Sequence, residues 1–314
     1  MVTIPGRVGF GGGPIGGLYR EVTAEQASAA LEAAWCCGIR YFDTAPHYGA
    51  GLSERRIGEF LATRPRHEYV VSTKVGRLLV PSHDDAPDDP VFPNERGIRR
   101  VFDFSRDGVL RSLDSSLSRL GLDHVDIVYV HDPDAYWKSA VTEALPALMS
   151  LREEGVIGAV GVGMNQAEMV QRFVAEADLD VVLVAGRYTL LDQRAAEGLF
   201  PLCRERGVRV VVGGVFNSGI LADPQAGSYY DYAPAPPEIR RRVAALAETC
   251  ARWGVPLQAA ALQFPLRHPA VDAIVVGVRS ASEVRRDIEL LAHPVPEECW
   301  TELAEISARL NGAP

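Results

Sequence analysis

GIRYFDTAPHYGAGLSERRIGEFL, residues 38–61, decides the fold. Its apolar run RYFD, 40–43, reads as a short strand. The loop TAPHYGAG follows, and the amphipathic stretch 53–62 then reads as a helix. This β-then-α unit recurs along the chain. Strand-like runs lie at 8–11, 40–43, 69–74, 125–131, 157–163, 181–185, 208–212 and 273–276. They are short, apolar and rich in β-branched residues, as parallel strands buried on both faces require.

Helical patterns separate the runs. In 23–37, Ala27, Ala30, Leu31 and Ala34 share one face, and Thr23 with Gln26 makes a capping box. In 106–120 the apolar face is Val109, Leu110, Leu113, Leu117 and Leu120. Further helices are expected at 53–62, 139–154, 166–175, 194–206, 237–253, 281–291 and 297–310. Eight such units predict an α/β fold, a (β/α)₈ (TIM) barrel, as a single domain over residues 1–314. A doubly wound sheet split into two domains is the alternative, and no linker supports it. The stretches 77–105 and 220–237, richest in Pro, Gly and Asp, each follow a strand. On a barrel they become lid loops at the catalytic face.

Composition narrows the partners. The chain has 314 residues, 47% of them hydrophobic, and a net charge of −9. With no basic patch or tail, nucleic acid is not an expected partner. No apolar run is long enough for a membrane helix, and the first residues, MVTIPGRVGFGGGP, lack the regions of a signal peptide. The five cysteines, Cys36, Cys37, Cys203, Cys250 and Cys299, show no metal spacing and read as reduced thiols of a cytoplasmic protein. No metal site is expected. No long exposed apolar stripe demands a partner, so a monomer or weak homo-oligomer is expected.

Four residues carry the chemistry. Asp43, Lys74 and His131 each close a strand, and Tyr48 lies in the loop five residues beyond Asp43. Each has an ordinary reading: Asp43 can cap a helix, and a strand-end histidine taken alone is more often structural. Lys74 is harder to explain so, because a buried ammonium needs a partner. Asp43 on the adjacent strand supplies one. A cation beside Tyr48 favours the phenolate and lowers its pKa, letting a phenol act as acid or base. Gathered at the same ends of neighbouring strands, the four form a proton-transfer device suited to carbonyl or alcohol redox chemistry.

Other motifs are weaker. GGGPIG at 11–16 matches a dinucleotide fingerprint, but no helix opens at its third glycine and no acid ends a second strand at the right distance. A glycine-rich first barrel loop over a ligand is the better reading. His47 either shapes a pocket or is only a loop residue. His268 reads as structural, and Tyr129 as a barrel-interior packing residue. Near the C-terminus, Ser280 and Glu283 form a capping box, which is a sufficient structural reason for both. The same helix start beside Arg279 also makes an anion site suited to phosphate. GGVFNSG, 213–219, falls after the seventh strand, where barrel phosphate sites also gather.

The chain resembles the aldo-keto reductases over nearly its full length. The segments that carry the resemblance are GIRYFDTAPHYGAGLSERRIGEFL, VVSTKVG, LRSLDSSLSRLGLDHVDIVYVHDPD and VVGVRSASEVRRDIE. VFDFSRDGVLRSL, GVGMNQ, AGRYTLLDQ, GGVFNSGILA, YDYAPAPPEI and ALQFPLRHPAV look like the branch of bacterial aldose 1-dehydrogenases and pyridoxal 4-dehydrogenases. The resemblance implies a barrel of the aldo-keto reductase type, binding an extended NAD or NADP, and an Asp43–Tyr48–Lys74–His131 tetrad. It implies oxidation of an aldose or similar hemiacetal at C1 to a lactone, with Tyr48 as general acid/base. An NADPH-dependent aldehyde or ketone reductase and a non-enzymatic cofactor-sensing subunit are the alternatives.

For the coenzyme, the resemblance and the anion site together implicate Asn165, Gly214, Phe216, Ser218, Gly219, Gly277, Arg279, Ser280, Glu283 and Asp287. For the substrate the candidates are Tyr19, His47, Trp137 and the lid 77–105. The chain departs from the family pattern where a Ser-Asn pair is common, having Met164-Asn165. Ala185 replaces a usual Gln, Arg187 a common acid, and Gly213 an aromatic residue. Glu283 stands where many NADP-preferring members carry a cation, and Asp287 where Asn is usual. A carboxylate there repels a 2′-phosphate while Arg279 attracts it, and the balance leans to NAD.

Overall fold

The computed structural model describes residues 2–83, 89–93, 96–225 and 229–311. The eight apolar runs form β1 (Val8–Gly11), β2 (Tyr41–Asp43), β3 (Val70–Val75), β4 (Val125–His131), β5 (Ile157–Met164), β6 (Val181–Ala185), β7 (Arg209–Gly213) and β8 (Val271–Gly277). Each pairs in parallel with its sequence neighbours. The sheet closes where β8 meets β1, from Val8 opposite Ile274 to Gly11 opposite Gly277. The expected (β/α)₈ barrel is therefore the observed one.

Side-chain alternation divides the core in two. Tyr41, Val70, Ile127, Tyr129, Ala159, Val181, Leu183, Val211, Ala273 and Val275 pack together inside the barrel. Their neighbours Phe42, Val71, Val128, Val130, Val182 and Val210 pack in the larger outer core with the helices. Two tyrosines fit inside because small residues face them. A Cβ on Gly9 would lie 2.5 Å from Cδ1 of Tyr41, and one on Gly161 2.8 Å from Cδ1 of Tyr129. The same alternation carries the inner face upward. Asp43 lies two residues beyond Tyr41, Lys74 beyond Ser72 and His131 beyond Tyr129, so polar groups crown the apolar interior.

The helices are α1 (Ala24–Cys36), α2 (Leu52–Leu61), α3 (Arg106–Leu120), α4 (Leu145–Glu153), α5 (Ala167–Glu176), α6 (Leu199–Arg206), α7 (Pro237–Arg252), α8 (Leu257–Leu266), α9 (Ala281–Leu291) and α10 (Glu297–Asn311). The Thr23/Gln26 capping box forms on α1. Three expectations need correction. The helix expected at 139–154 starts at Trp137 and passes through a π-helical turn, Ala140–Ala144, before α4. The helix expected at 194–206 is broken at Gly198, where a Cβ would sit 2.3 Å from Oε1 of Gln171. Helix α8 was not expected at all. It is apolar on nearly every side, with Pro256 as its N-cap and Pro265 in its last turn, so it shows no amphipathic period.

The two stretches read as lids carry structure of their own. Arg77–Pro81 pairs antiparallel with Ile98–Phe102, and Tyr229–Tyr230 with Ala233–Pro234. Residues 84–88 and 94–95 of the first stretch, and 226–228 of the second, lie outside the described residues. Arg187 ties the second hairpin to the barrel. Its guanidinium donates to both carboxylate oxygens of Asp231, at 2.9 and 3.0 Å, and to the Asn165 carbonyl at 2.6 Å.

Candidate active site

The strand ends open into a cavity of about 690 Å³. Asp43, Tyr48, Lys74 and His131 all line it, as the sequence predicts. Lys74 is 1% exposed, and its ammonium donates to Oδ2 of Asp43 at 2.7 Å and to the Thr44 carbonyl at 2.9 Å. Oδ1 of Asp43 accepts from the Ser72 hydroxyl at 2.7 Å. That hydroxyl is 3.0 Å from the Tyr41 phenol, which is 3.2 Å from the Tyr129 phenol. The buried pair thus stands on a satisfied hydrogen-bond chain, which limits its desolvation cost. Tyr129 packs in the interior, in the role its position predicts.

Lys74 Nζ lies 4.7 Å from the centre of the Tyr48 ring. The His131 ring stands perpendicular to that ring, 6.0 Å from it. One expectation fails here. The Tyr48 phenol is held well above its ordinary pKa, first by burial and then by the Asp43 and Asp132 carboxylates, with Arg77 opposing them. Burial outweighs whatever the Lys74 ammonium, itself paired with Asp43, does to the phenol. Tyr48 rests protonated. Burial lowers the His131 pKa well below its usual value, helped by Arg77, Lys74 and His47, so its imidazole is neutral. Burial likewise pushes His47 down to about 2, with Arg77, Arg100 and Lys74 adding to it.

Of the residues expected at the coenzyme, Asn165, Gly214, Phe216, Ser218, Gly219, Gly277, Arg279, Glu283 and Asp287 line the same cavity. Ser280 does not: its hydroxyl accepts from the Glu283 amide at 3.2 Å and caps α9. Glu283 reaches back to the Arg279 amide at 2.6 Å. Arg279 Nε is buried with no hydrogen-bond partner among the described residues, and Asp287 is pushed up to about 7 by burial and by Glu283. This groove fits a dinucleotide. Gly11, Gly13, Gly163, Gly213, Gly214 and Gly277 keep its floor low, and Arg279, whose Nη2 donates to the Leu18 carbonyl at 3.4 Å, has its Nε–H left for an anion.

Of the expected substrate residues, Tyr19 and His47 line the cavity, and Trp137 does not. Trp137 packs on Phe173 with ring centres 4.3 Å apart and carries the Arg172 guanidinium over its face. An aromatic residue six positions after a strand end looks placed for a pocket. The helical turn that begins there rotates it outward onto α5.

Of the lid expected at the substrate, Arg77, Asp89 and Phe92 line the cavity, while the sequence reading named neither Asp132 nor Tyr232, which also line it. Asp132 directly follows His131, and its adjacency was the available signal. Tyr232 comes from the second hairpin stretch, where no periodicity singles it out.

Strand alternates with helix, the parallel barrel closes, and Asp43, Tyr48, Lys74 and His131 stand together at one mouth of it. The chain belongs to the Aldo/keto reductase family, whose profile matches residues 7–308. It is 45% identical to a D-threo-aldose 1-dehydrogenase of a Pseudomonas species, over 98% of this chain and 95% of that one. It is 44% identical to a pyridoxal 4-dehydrogenase of Microbacterium luteolum, over 94% and 92%. Among solved structures, a glycerol dehydrogenase of Gluconobacter oxydans superposes with a TM-score of 0.80 at 22% identity, covering 100% of this chain and 95% of that one. An aldo-keto reductase of Bacillus halodurans gives 0.72 at 24%, covering 96% and 92%. These two likenesses bear on the fold alone. The protein is an enzyme, an oxidoreductase acting on small molecules, and no helix among the described residues is long and apolar enough to cross a membrane.

Proposed function

We propose that the enzyme oxidises an aldose, or a related cyclic hemiacetal, at C1 to the lactone. The observation that carries this reading is the convergence of Asp43, Tyr48, Lys74 and His131 on one end of a glycine-floored cavity. The 45% identity to an aldose 1-dehydrogenase supports the substrate class.

Tyr48, once its phenol has given its own proton to solvent, takes the proton of the anomeric hydroxyl as the phenolate. The Lys74 ammonium, fixed by Asp43 and the Thr44 carbonyl, faces the charge that builds on the phenol ring. Neutral His131 donates an N–H to the same substrate oxygen and sets its orientation. A nicotinamide bound in the groove supplies the hydride acceptor. Arg279 holds a phosphate, and Asn165 the nicotinamide amide. Positioned acid–base chemistry of this kind contributes roughly 10²- to 10⁴-fold. The Glu283 carboxylate on the groove wall opposes a 2′-phosphate, which favours NAD over NADP.

A second reading has its own observation. A phenol that rests protonated is ready to donate, which suits an NADPH-dependent aldehyde or ketone reductase. Absorbance of reduced coenzyme separates the two. Each of NAD and NADP is offered with L-fucose, D-arabinose, L-galactose, D-glucose and pyridoxal. Rapid reduction of NAD by one aldose is the expected result. No reduction with any of them, alongside fast NADPH consumption by simple aldehydes, overturns the dehydrogenase reading.

A further inference from the structure

We propose that Asp132 binds the substrate by accepting a hydrogen bond from the hydroxyl on C2, next to the reacting carbon, and that Arg77 is its positioning residue. The inference rests on the aldose reading above and adds the group that recognises the sugar.

Asp132 follows His131 directly, at the C-terminal mouth of β4. Its φ is +44°, in the left-handed region, which few residues other than glycine adopt at no cost. Its amide donates to the Gly163 carbonyl at 3.0 Å, which fixes the turn. The turn aims the carboxylate into the cavity, and the side chain keeps 29% exposure. Oδ2 accepts from Arg77 Nη2 and lies 3.6 Å from Nε2 of His131. Among the described residues, Oδ1 has no hydrogen-bond partner. Burial raises the Asp132 pKa and Arg77 opposes the rise.

A carboxylate beside the oxygen-binding group needs a reason. In the reduction of a plain aldehyde, negative charge grows on the substrate oxygen at His131, and a neighbouring carboxylate repels it. A substrate with a hydroxyl one carbon away changes the sign. That hydroxyl is a donor, Oδ1 is an acceptor, and the same carboxylate lies, through Oδ2, 3.6 Å from the nitrogen that holds the C1 oxygen. Arg77 makes this arrangement tolerable. Its guanidinium pairs with Oδ2, fixes the carboxylate rotamer and leaves Oδ1 to the ligand. Arg77 is itself braced by the Phe102 ring, 5.0 Å away, across its own hairpin. The pair is therefore a preformed reader for a polyhydroxylated substrate, built from two elements that meet only at the barrel mouth.

Four values of kcat/KM test it: wild type and Asp132→Ala, each with L-fucose and with 2-deoxy-L-fucose. A hydroxyl bound to a charged acceptor is worth roughly tenfold to a hundredfold. The wild type is expected to prefer L-fucose by that factor. In Asp132→Ala the preference collapses toward unity, because L-fucose loses the contact and the deoxy sugar has none to lose. Asp132→Asn, which keeps the shape, should retain part of the preference. Arg77→Met should lower it while the deoxy sugar loses less. D-Arabinose and 2-deoxy-D-ribose repeat the cycle if L-fucose is poor. If the variants lose the same factor on both sugars of a pair, or if the wild type shows no preference, Asp132 does not read this hydroxyl. In that case aldose oxidation itself still stands. If the wild type oxidises no aldose, both readings fall together.

Discussion

Replacing Lys74 by Met tests whether the Asp43–Lys74 pair acts as one desolvated unit. The two side chains are 1% and 3% exposed and 2.7 Å apart. Without the ammonium, the Asp43 carboxylate keeps one hydrogen-bond donor among the described residues, the Ser72 hydroxyl. Breaking one side of a buried pair costs about 3–5 kcal/mol. For a chain of this size that is a fall in Tm of roughly 5–8 °C. Removing both charges in Asp43→Asn/Lys74→Met should restore most of that loss, because a neutral site carries no uncompensated charge.

Activity should not follow stability. A charge 4.7 Å from the Tyr48 ring is worth about 3.5 kcal/mol at an effective dielectric of 20, a ceiling that Asp43 reduces. The single variant should lose up to a few hundredfold in kcat at neutral pH, and the double variant should stay slow despite its recovered fold. Differential scanning calorimetry and initial rates on the three proteins decide the matter. If Lys74→Met melts with the wild type, or the double variant melts no higher than the single, the pair is not the coupled unit described.

Other outcomes follow from the same geometry. Tyr48→Phe should leave coenzyme affinity, measured by fluorescence titration, nearly unchanged and lower kcat by roughly 10²- to 10⁴-fold. Because oxidation needs the phenolate and the phenol pKa is raised above its ordinary value of 10.0, kcat/KM for oxidation should climb with pH through the alkaline range. It should show no inflection near 6.5, since His131 is already neutral there. Asp287 rises from 3.8 to about 7, so folding stability contributed at this site falls as pH increases through that window. Asp287→Asn should therefore raise Tm most above pH 7, with a gain that shrinks toward pH 4. Gly161→Ala places a Cβ 2.2 Å from the Val181 carbonyl and 2.8 Å from Tyr129, and urea unfolding should show a loss of about 1–3 kcal/mol.

The barrel was legible because its strands are buried on both faces. Burial forces short β-branched runs, and each was readable within a residue or two of its observed limits. Helix α3 was legible to the residue, since Ser105 caps it, Gly121 ends it and Val109, Leu113 and Leu120 are buried along one face. Helix α8 was not, because a segment buried nearly all round has no polar face to set a period. The hairpin Arg77–Pro81/Ile98–Phe102 was hidden in a stretch read only as a loop, and its pairing is long-range. Trp137 was misplaced for a related reason: position along the chain does not say which way a helical turn points a side chain.

By itself the sequence determined the eight strands and the four polar residues that crown them. Period-two alternation continues past the apolar interior and places Asp43, Lys74 and His131 on the inner face without any knowledge of contacts. Only the tertiary structure decided the electrostatics. Whether Lys74 lowers the Tyr48 phenol depends on where Asp43, Asp132 and Arg77 stand around it, and these come from β2, β4 and the hairpin after β3. Electric fields sum over distance and burial, and neither is a property of spacing along a chain.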